Sequence, residues 1–225
     1  MTNRPMLRFD HIAIFARTLT EGAAHVRRAL GIEMPKGGAH PRMGTHNLLL
    51  SLGNDSFLEV IAIDPDAAAP QRPRWFGLDQ FNAEPMLGTW ILGTDDLRAE
   101  FGPEQIAAQT TELAPLPPLP PDCGRITEMT RGALTWLLTI PDDGSLPMGG
   151  AFPTLIEWPA GPHPASGMVD LGCRLRALTV EHPQADLIAA QIGDRIDQSR
   201  ITLRPAARFA LHAEIETPDG LRHLS

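Results

Sequence analysis

The order of apolar and polar residues in the first thirty positions predicts a strand followed by a helix. Residues 7–15 form an apolar run that is typical of a strand. The segment Thr18-Leu19-Thr20-Glu21 has the spacing of a capping box, in which a hydroxyl residue and a glutamate three positions later begin a helix. Apolar residues then recur on one helical face as far as Leu30, and Gly31 predicts the end of the helix.

Two further strands are predicted after a loop over 35–44 that is rich in glycine, proline and histidine. Residues 46–52 and 57–63 are apolar runs, and the turn sequence Gly53-Asn54-Asp55-Ser56 lies between them. A short additional strand is expected near 32–34. The first sixty residues therefore predict the order strand, helix, strand, strand.

The same order returns twice, as a similarity of pattern rather than of residue identity. The second copy has a helix start at 94–96 with helix-compatible sequence to 109. Gly102-Pro103 interrupts this helix, and five prolines between 115 and 121 then favour an extended surface segment. The third copy has Pro183 in the first turn of its helix and Gly193 after the end. The predicted strands are 89–93, 125–130, 134–140 and 154–158 in the second copy and 175–181, 201–205 and 208–217 in the third, whose helix spans 183–192.

Composition narrows the expected partners and compartment. The formal net charge is −8 and lysine and arginine form no cluster, so neither nucleic acid nor an anionic membrane is an expected partner. No apolar run approaches the roughly 20 residues that a membrane span needs. The two cysteines, Cys123 and Cys173, lie in unrelated contexts, which points to a reducing compartment. We expect a cytoplasmic protein whose partner is a small molecule.

Three polar residues interrupt runs that otherwise predict buried strands: His11, Glu59 and Glu157. A carboxylate buried in a strand must be paired, protonated or bound to a metal, because desolvating an unpaired charge costs several kcal/mol. One histidine and two glutamates on strand faces suit a divalent metal with an open position for substrate. These residues are therefore the candidate metal ligands.

The predicted hairpin brings one more histidine near Glu59. If the turn pairs Leu52 with Phe57, alternation along the strands sets Leu50 opposite Glu59 and His46 on the same sheet face. The helix must cover the other face, so Glu59 is expected to point away from it, into a cavity between modules. His46 is thus a candidate for contact with the substrate.

Each candidate also has a structural interpretation. His11 can bond a backbone carbonyl within the sheet, and Glu59 can form an ion pair with Arg42 or Arg72. Glu157 lies on a short strand, where it can be solvated or paired. Three tryptophans are expected to be core anchors: Trp90, Trp136 and Trp158. The histidines without a spacing signal are expected to be surface or structural residues: His25, His163, His182, His212 and His223.

Several of these segments resemble the vicinal oxygen chelate superfamily, which includes glyoxalase I and the extradiol dioxygenases. The features are His11 after Asp10 on the first strand, Gly44-Thr45-His46-Asn47 at the start of a later strand, and Glu59 on the next strand. The resemblance covers roughly residues 7 to 160. Three further segments are similar to the branch of glyoxalase-like domain proteins: His40-Pro41, Pro141-Asp142-Asp143-Gly144 and Ile156-Glu157-Trp158.

The resemblance implies an α+β fold in which paired βαβββ modules, 7–64 and 87–159, form a cupped mixed sheet. A C-terminal βαββ unit over 170–223 would be an addition. Members hold one divalent metal with ligands from the first and last strands of each module. Three of these positions correspond to His11, Glu59 and Glu157, and the fourth falls on Thr89, which departs from the family pattern. Such a ligand set implies Mn, Fe, Zn or Ni, with the harder metals favoured.

The implied function is a metal-dependent enzyme that acts on a small oxygen-chelating substrate by isomerase, lyase or dioxygenase chemistry. Glu157, once detached from the metal, would be a general base, and His46 would contact the substrate. The alternative is a metal-free protein of the same fold that sequesters a small hydrophobic or aromatic molecule. A role of the third unit in assembly, for example in a homodimer, is a further hypothesis.

Overall fold

The computed structural model describes residues 6–100, 123–197 and 199–225, and this part of the chain is mixed α and β. Its helices are α1 (Leu19–Leu30) and α2 (Ala185–Ile192). No helix in these ranges is long and apolar enough to cross a membrane. The strands are β1 (Arg8–Phe15), β2 (Lys36–His40), β3 (Thr45–Ser51), β4 (Phe57–Ile63), β5 (Met86–Gly93), β6 (Arg125–Arg131), β7 (Leu134–Ile140), β8 (Thr154–Glu157), β9 (Arg174–His182), β10 (Ile201–Pro205), β11 (Ala210–Thr217) and β12 (Gly220–Leu224).

Helix α1 begins and ends where the sequence predicts. The Thr18 side chain accepts a hydrogen bond from the backbone amide of Glu21 at 3.1 Å, which satisfies one of the free amides of the first turn. Gly31 ends the helix in the left-handed conformation, with φ at 74°. Val26 and Leu30 are buried on one face of α1, so the helix is fixed against the sheet.

The two modules share one eight-stranded sheet with the strand order β2-β3-β4-β1-β5-β8-β7-β6. Strand β1 lies near the centre, parallel to β4 of its own module and antiparallel to β5 of the next. The outer strands β2 and β6 approach each other, and beside that gap Arg42 donates to the backbone oxygen of Glu128 at 2.6 Å. The sheet is therefore a nearly closed cup, and the predicted α+β class is confirmed.

A second sheet of four strands, in the order β10-β9-β11-β12, packs with α2 against the convex face of the cup. Alternation along β1 separates two cores. Ile12 joins Val60 of β4 and Leu178 of the second sheet in the convex core. Ala13 faces the inside of the cup with Ile61. The second sheet thus supports the cup from outside and contributes no described residue to the cavity within it.

Two elements differ from the prediction. Strand β2 lies at Lys36–His40 instead of 32–34, because Gly37 allows an approach that a side chain would block: a Cβ there would lie 2.2 Å from Asn47 Oδ1. Strand β12 is absent from the prediction. Residues 94–100, where the sequence predicts a helix start, form bends and turns, and Asp96 Oδ1 accepts from the backbone amide of Ala99 at 3.0 Å, as a helix N-cap does. The remainder of that predicted helix and the proline-rich 115–121 segment lie outside the described residues. The division into units 7–64, 87–159 and 170–223 stays a prediction.

The hairpin of β3 and β4 pairs one residue away from the predicted register. Ser51 lies opposite Phe57, and Leu49 lies opposite Glu59. Leu52 faces Ser56 beyond this pair, because the backbone amide of Leu52 donates to the carbonyl of Ser56. The connection is therefore 53–55, three residues instead of the predicted four. The Ser51 hydroxyl tightens this turn through hydrogen bonds with both the amide and the carbonyl of Gly53.

The shifted register corrects the predicted position of His46. A shift of one residue exchanges the two faces of a strand. His46 therefore lies on the face away from Glu59, where its Nδ1 is 3.8 Å from Asp64. Asn47 takes the predicted place of His46 inside the cup.

Candidate functional site

The concave side of the cup holds a small cavity that is open to solvent. Polar atoms reach it from His11, His40, Asn47, Glu59 and Arg131. A mostly apolar cavity with a few converging polar groups is the usual form of a small-molecule site. The aromatic and aliphatic lining residues are Phe57, Trp75, Phe76, Trp136, Leu138, Ile156 and Trp158.

Asp10 is buried behind His11 and accepts hydrogen bonds from three side chains. Its carboxylate lies 2.6 Å from His11 Nδ1, 2.8 Å from Trp158 Nε1 and 3.0 Å from His163 Nε2. Neutral His163 carries its proton on Nε2, since its Nδ1 accepts from the amide of Ala165. Burial would raise the pKa of Asp10, but the hydrogen bonds from His11 and His163, together with the positive charge of each ring when it is protonated, lower it to about 2.

The contact between Asp10 and His11 depends on an irregularity in β1. Neighbouring residues of a regular strand point to opposite faces. The pairing of β1 with β5 shifts between Phe9 and His11, as it does where a β-bulge inserts an extra residue. The bulge brings the Asp10 carboxylate within hydrogen-bond distance of the imidazole that follows it in the chain.

This arrangement fixes the tautomer of His11. Because an ionised Asp10 can only accept, His11 Nδ1 carries the proton, and Nε2 of the neutral ring is the basic nitrogen. Nε2 lies 3.8 Å from Glu59 Oε2 in the cavity wall, and the imidazole stacks on Phe57 with ring centroids 4.3 Å apart. His11 and Glu59 are 6% and 5% exposed. The structure thus brings these two predicted site residues together.

Asn47 connects Glu59 to the rim of the cup. Its Oδ1 accepts from the backbone amide of Gly38 at 2.8 Å and from Arg131 at 3.3 Å, which identifies Nδ2 as the donor end of the amide. Nδ2 donates to Glu59 Oε1 at 2.6 Å and to His40 Nε2 at 3.4 Å. One Glu59 oxygen is therefore satisfied, and the other is the one near His11.

Two further groups determine the charge of the cavity. Burial, followed by the charges of Arg131 and the neighbouring imidazoles, lowers the pKa of His40 to about 3. The neutral His40 ring donates from Nδ1 to Thr45 at 3.1 Å. Burial also lowers the pKa of Arg131, while the charge of Glu59 opposes that shift. Arg131 stays protonated, so it and Glu59 are opposite charges at the same cavity.

Glu157 does not lie with His11 and Glu59, although the sequence predicted that the three converge. On β8 it is Ile156 that lines the cavity, whereas the Glu157 carboxylate accepts from the backbone amide of Leu97 at 2.6 Å outside the cup. Strand β8 has only four residues and follows the long 141–153 loop. The sequence pattern therefore did not determine which of its side chains point into the cup. In the folded chain Glu157 holds the turn that follows β5.

The described donors do not fit the three-ligand metal site that the resemblance implies. Within the described ranges, no group of three or more His, Cys, Asp and Glu side chains is close enough to hold an ion. Among the side chains that the structure describes, only His11 Nε2 and Glu59 Oε2 converge, whereas a catalytic zinc-type site supplies three protein ligands. Thr89 is buried opposite Ala13 in the cup wall. The positive charge of Arg131 acts on Glu59, which weakens the attraction of that carboxylate for a cation.

Sequence reasoning missed five polar residues of this site: Asp10, His40, Asn47, Arg131 and His163. Asp10 had a visible signal, since it directly precedes His11 in the first strand. For Arg131 the signal is weaker: it is the glycine at position 38, where a Cβ would lie 2.9 Å from Arg131 Cδ. His163 had no signal, since it reaches Asp10 across 153 positions of sequence.

Comparison with known proteins identifies the family. The sequence matches the glyoxalase-like domain family over residues 9–195, and no curated protein matches it. A hypothetical protein from Staphylococcus aureus is similar in fold, with a TM-score of 0.57 and 16% identity over 91% of this chain and 88% of its own. Methylmalonyl-CoA epimerase from Streptomyces coelicolor has a TM-score of 0.43 and 19% identity, over 71% of this chain and 99% of its own. Methylmalonyl-CoA epimerase from Mycobacterium tuberculosis has a TM-score of 0.40 and 18% identity, over 68% of this chain and 88% of its own.

The family match carries the assignment, since the three structural neighbours named above are each below 25% identity. The match begins in β1 and ends just after α2, so it includes both modules of the cup. The likeness to the Staphylococcus aureus protein agrees with the cupped sheet described above. The chain is therefore a member of the glyoxalase-like domain family, within the vicinal oxygen chelate superfamily.

Proposed function

We propose that this protein is an enzyme that moves a proton on a small, largely apolar carbonyl compound bound inside the cup, with His11 as the base. The observation that carries the proposal is the buried Asp10–His11 pair, whose geometry leaves the basic nitrogen of His11 at the cavity. A base that is oriented by a carboxylate on its other nitrogen is the usual arrangement in general base catalysis by histidine.

In the proposed step, His11 Nε2 takes a proton from a carbon next to the substrate carbonyl. The electron pair of that C–H bond moves into the carbonyl, which becomes an enolate oxygen. Asp10 stabilises the imidazolium through the Nδ1 hydrogen bond, and Glu59 Oε2 lies 3.8 Å from the newly protonated Nε2. Return of the proton to another face or carbon gives isomerisation, and loss of a neighbouring leaving group gives a lyase reaction.

Arg131 supports this step as the positive charge of the cavity. Its guanidinium bonds Asn47 at 3.3 Å and is partly desolvated, so it interacts strongly with negative charge that develops on a substrate oxygen. Asn47 in turn holds Glu59 and Arg131 in fixed positions on the two sides of its amide.

The cavity dimensions support a compact substrate. The cavity is small and open to solvent, and its aromatic walls suit a molecule with one small ring or a short apolar chain. Among the described residues only two donors converge, at His11 and Glu59, so the proposed step uses protein side chains alone. The experiment below also measures the effect of added metal.

The test is hydrogen exchange in deuterated buffer. Purified protein is incubated with a panel of small enolisable ketones, hydroxyketones and 2-oxo acids, and loss of the α-proton signal is followed by NMR. Wild type should accelerate exchange of at least one compound, and His11→Gln should lower that rate by about 100-fold or more. His46→Gln is the matched control, since it makes the same change on the other sheet face, and should keep the wild-type rate.

The possible outcomes distinguish proton transfer by His11 from a metal-dependent reaction. Equal rates after chelation and after addition of Mn or Zn support the step as proposed, whereas activity only with metal would support a metal-dependent enzyme instead. Unchanged exchange in His11→Gln would refute His11 as the base. Exchange of no panel member by wild type would refute the proposal as a whole.

A binding protein is the second candidate, and the aromatic cavity wall favours it. Trp136 and Trp158 have ring centroids 5.3 Å apart, and His40 lies edge-on to Trp75 at 5.0 Å. Such a wall suits sequestration of a small aromatic molecule. Tight binding of an aromatic compound without exchange or turnover would support this candidate.

A further inference from the structure

We infer that His163 is a positioning residue for the proposed reaction: it holds the Asp10 carboxylate in the orientation that keeps the basic nitrogen of His11 at the cavity. The inference rests on the proposed function for its effect on rate, whereas its effect on the hydrogen bond between Asp10 and His11 is measured without substrate. His163 itself borders a second cleft and does not line the cavity of the cup.

The two carboxylate oxygens of Asp10 have different partners. Oδ1 lies 2.6 Å from His11 Nδ1, whereas Oδ2 accepts from Trp158 Nε1 at 2.8 Å and from His163 Nε2 at 3.0 Å. Asp10 is 3% exposed, so little water competes with these donors. Hydrogen bonds are directional, and two of them on Oδ2 restrict the rotation of the carboxyl group. Oδ1 is thereby directed at His11.

A different orientation of Asp10 is available toward the second cleft. Asp10 lines this cleft together with His163 and Arg8, and only Trp158 borders both the cleft and the cavity of the cup. Arg8 is exposed, and its charge attracts the Asp10 carboxylate. A carboxylate that turned toward the cleft would gain water and the attraction of Arg8, and it would leave His11. The hydrogen bond from His163 opposes this rotation.

The turn that carries His163 holds its ring in one orientation. His163 Nδ1 accepts from the backbone amide of Ala165 at 3.1 Å. The His163 carbonyl accepts from both the amide and the hydroxyl of Ser166, at 2.9 Å and 2.7 Å. The imidazole also lies edge-on to Trp158, with ring centroids 5.8 Å apart. The Nε2–H group is therefore aimed at Asp10 by contacts that involve neither Asp10 nor a ligand.

The orientation of Asp10 decides which nitrogen of His11 is basic. A neutral imidazole carries one proton, and this proton lies on Nδ1 while Asp10 accepts from that nitrogen. Without Asp10 the proton would be free to move to Nε2, which is 3.8 Å from Glu59 Oε2. That tautomer has no basic nitrogen at the cavity. His163 thus acts on the reaction through Asp10 and His11, without contact with the substrate.

The hydrogen bond between Asp10 and His11 gives a readout that needs no substrate. A short N–H···O bond to a buried carboxylate gives a far-downfield proton signal in the ¹H NMR spectrum, and its loss in His11→Gln identifies it. His163→Phe keeps a flat ring and removes the donor, so the signal should move upfield or exchange with water too fast to be seen. His163→Gln keeps an N–H group at nearly the same distance from the backbone, and it should retain the signal.

His182→Phe is the matched control. His182 Nδ1 accepts from the backbone amide of Gln184 at 3.1 Å, which is the same local contact that His163 makes, but His182 lies at the end of β9. His182→Phe should leave the signal unchanged. Urea unfolding checks that each variant is folded. If His163→Phe does not fold, His163→Ala, which adds no bulk, replaces it with the same expected results.

Hydrogen exchange gives the second readout, on the compound that wild type exchanges fastest. His163→Phe should lower the maximal exchange rate about tenfold, the rate equivalent of one hydrogen bond to a charged group. It should keep the KM of wild type, because His163 does not line the cavity of the cup. His163→Gln should restore most of the rate. A merely structural role of His163 would not lower the rate at constant KM.

Four results would overturn the inference: an unmoved signal in His163→Phe, an equal change in His182→Phe, no better retention of the signal by His163→Gln than by His163→Phe, or no downfield signal in wild type. The proposed function fails in a different way. Exchange of no compound by wild type would contradict that function, and the signal changes would still decide whether His163 positions Asp10. Exchange by wild type that is equally fast in His163→Phe would contradict this inference alone.

Discussion

His40 stays neutral in the folded protein, and this makes the protein sensitive to mild acid. Its pKa falls from 6.5 to about 3 on folding, chiefly through burial. Between these values the unfolded chain binds a proton that the folded chain does not, so stability rises with pH. We expect His40 to remove about 2 kcal/mol of unfolding free energy between pH 7 and pH 5.

Urea unfolding at the two pH values measures this effect. His40→Gln should be less stable than wild type at pH 7, because Thr45 and Asn47 lose a fitted partner, but its loss of stability on going to pH 5 should be smaller by about 2 kcal/mol. His46→Gln is the control, since His46 is partly exposed and outside the cup. An equal pH dependence in His40→Gln and wild type would contradict the prediction.

Glu157 is expected to stabilise the fold rather than hold a metal. Glu157→Ala removes the acceptor of the Leu97 amide and should lower the unfolding free energy by about 1–3 kcal/mol, since hydrogen bonds to charged groups are among the stronger ones. Glu84→Ala removes a carboxylate that is largely exposed and should change stability little. Loss of bound metal in Glu157→Ala with unchanged stability would restore the ligand interpretation.

At the scale of elements, the packing of α1 on β4 depends on Gly22. A Cβ on Gly22 would lie 2.2 Å from Val60 Cγ1. Alanine is favoured over glycine in a helix by about 1 kcal/mol, but overpacking typically costs about 1–3 kcal/mol. We therefore expect Gly22→Ala to destabilise the protein despite its better helix propensity, as measured by the urea midpoint.

A double variant checks that the clash is the cause. Val60→Ala opens space beneath the helix, so Gly22→Ala should cost less in the Val60→Ala background than in wild type. Additive effects of the two changes would mean that the loss in Gly22→Ala arises elsewhere.

At the scale of the whole molecule, a buried ion pair joins the second module to the segment after α2. Arg195 lies 2.5 Å from Glu100, and Thr94 donates to the same carboxylate at 3.3 Å. Glu100→Gln removes the negative charge of this buried carboxylate, which bonds both Arg195 and Thr94, and should lower the unfolding free energy by about 1–3 kcal/mol. The pair of Arg8 and Asp95 is exposed, and Asp95→Asn should cost at most about 1 kcal/mol.

Calorimetric melting curves distinguish local from global effects of Glu100→Gln. Because the second sheet shares the convex core with the cup, the variant should melt in one transition at a lower temperature. An early separate transition would show instead that the ion pair, and not the shared core, couples the sheets.

The sequence by itself determined the elements whose signals are local. The capping residues fixed both ends of α1, and the apolar runs fixed β1, β3 and β4 closely. It also determined that Glu59 points away from α1, because alternation within β4 sends its neighbours Leu58 and Val60 to the helix-covered face. These features need only spacing along the chain, and spacing is visible without tertiary contacts.

Only the tertiary structure decided which side chains meet in the cup. The three-residue connection between β3 and β4 puts Asn47, instead of His46, inside the cup. Strand β8 directs Glu157 away from the cavity. The bulge in β1 created the contact of Asp10 with His11. Each outcome depends on pairing between distant strands, and a shift of one residue there reverses every inward and outward side chain while leaving the apolar pattern of the sequence unchanged.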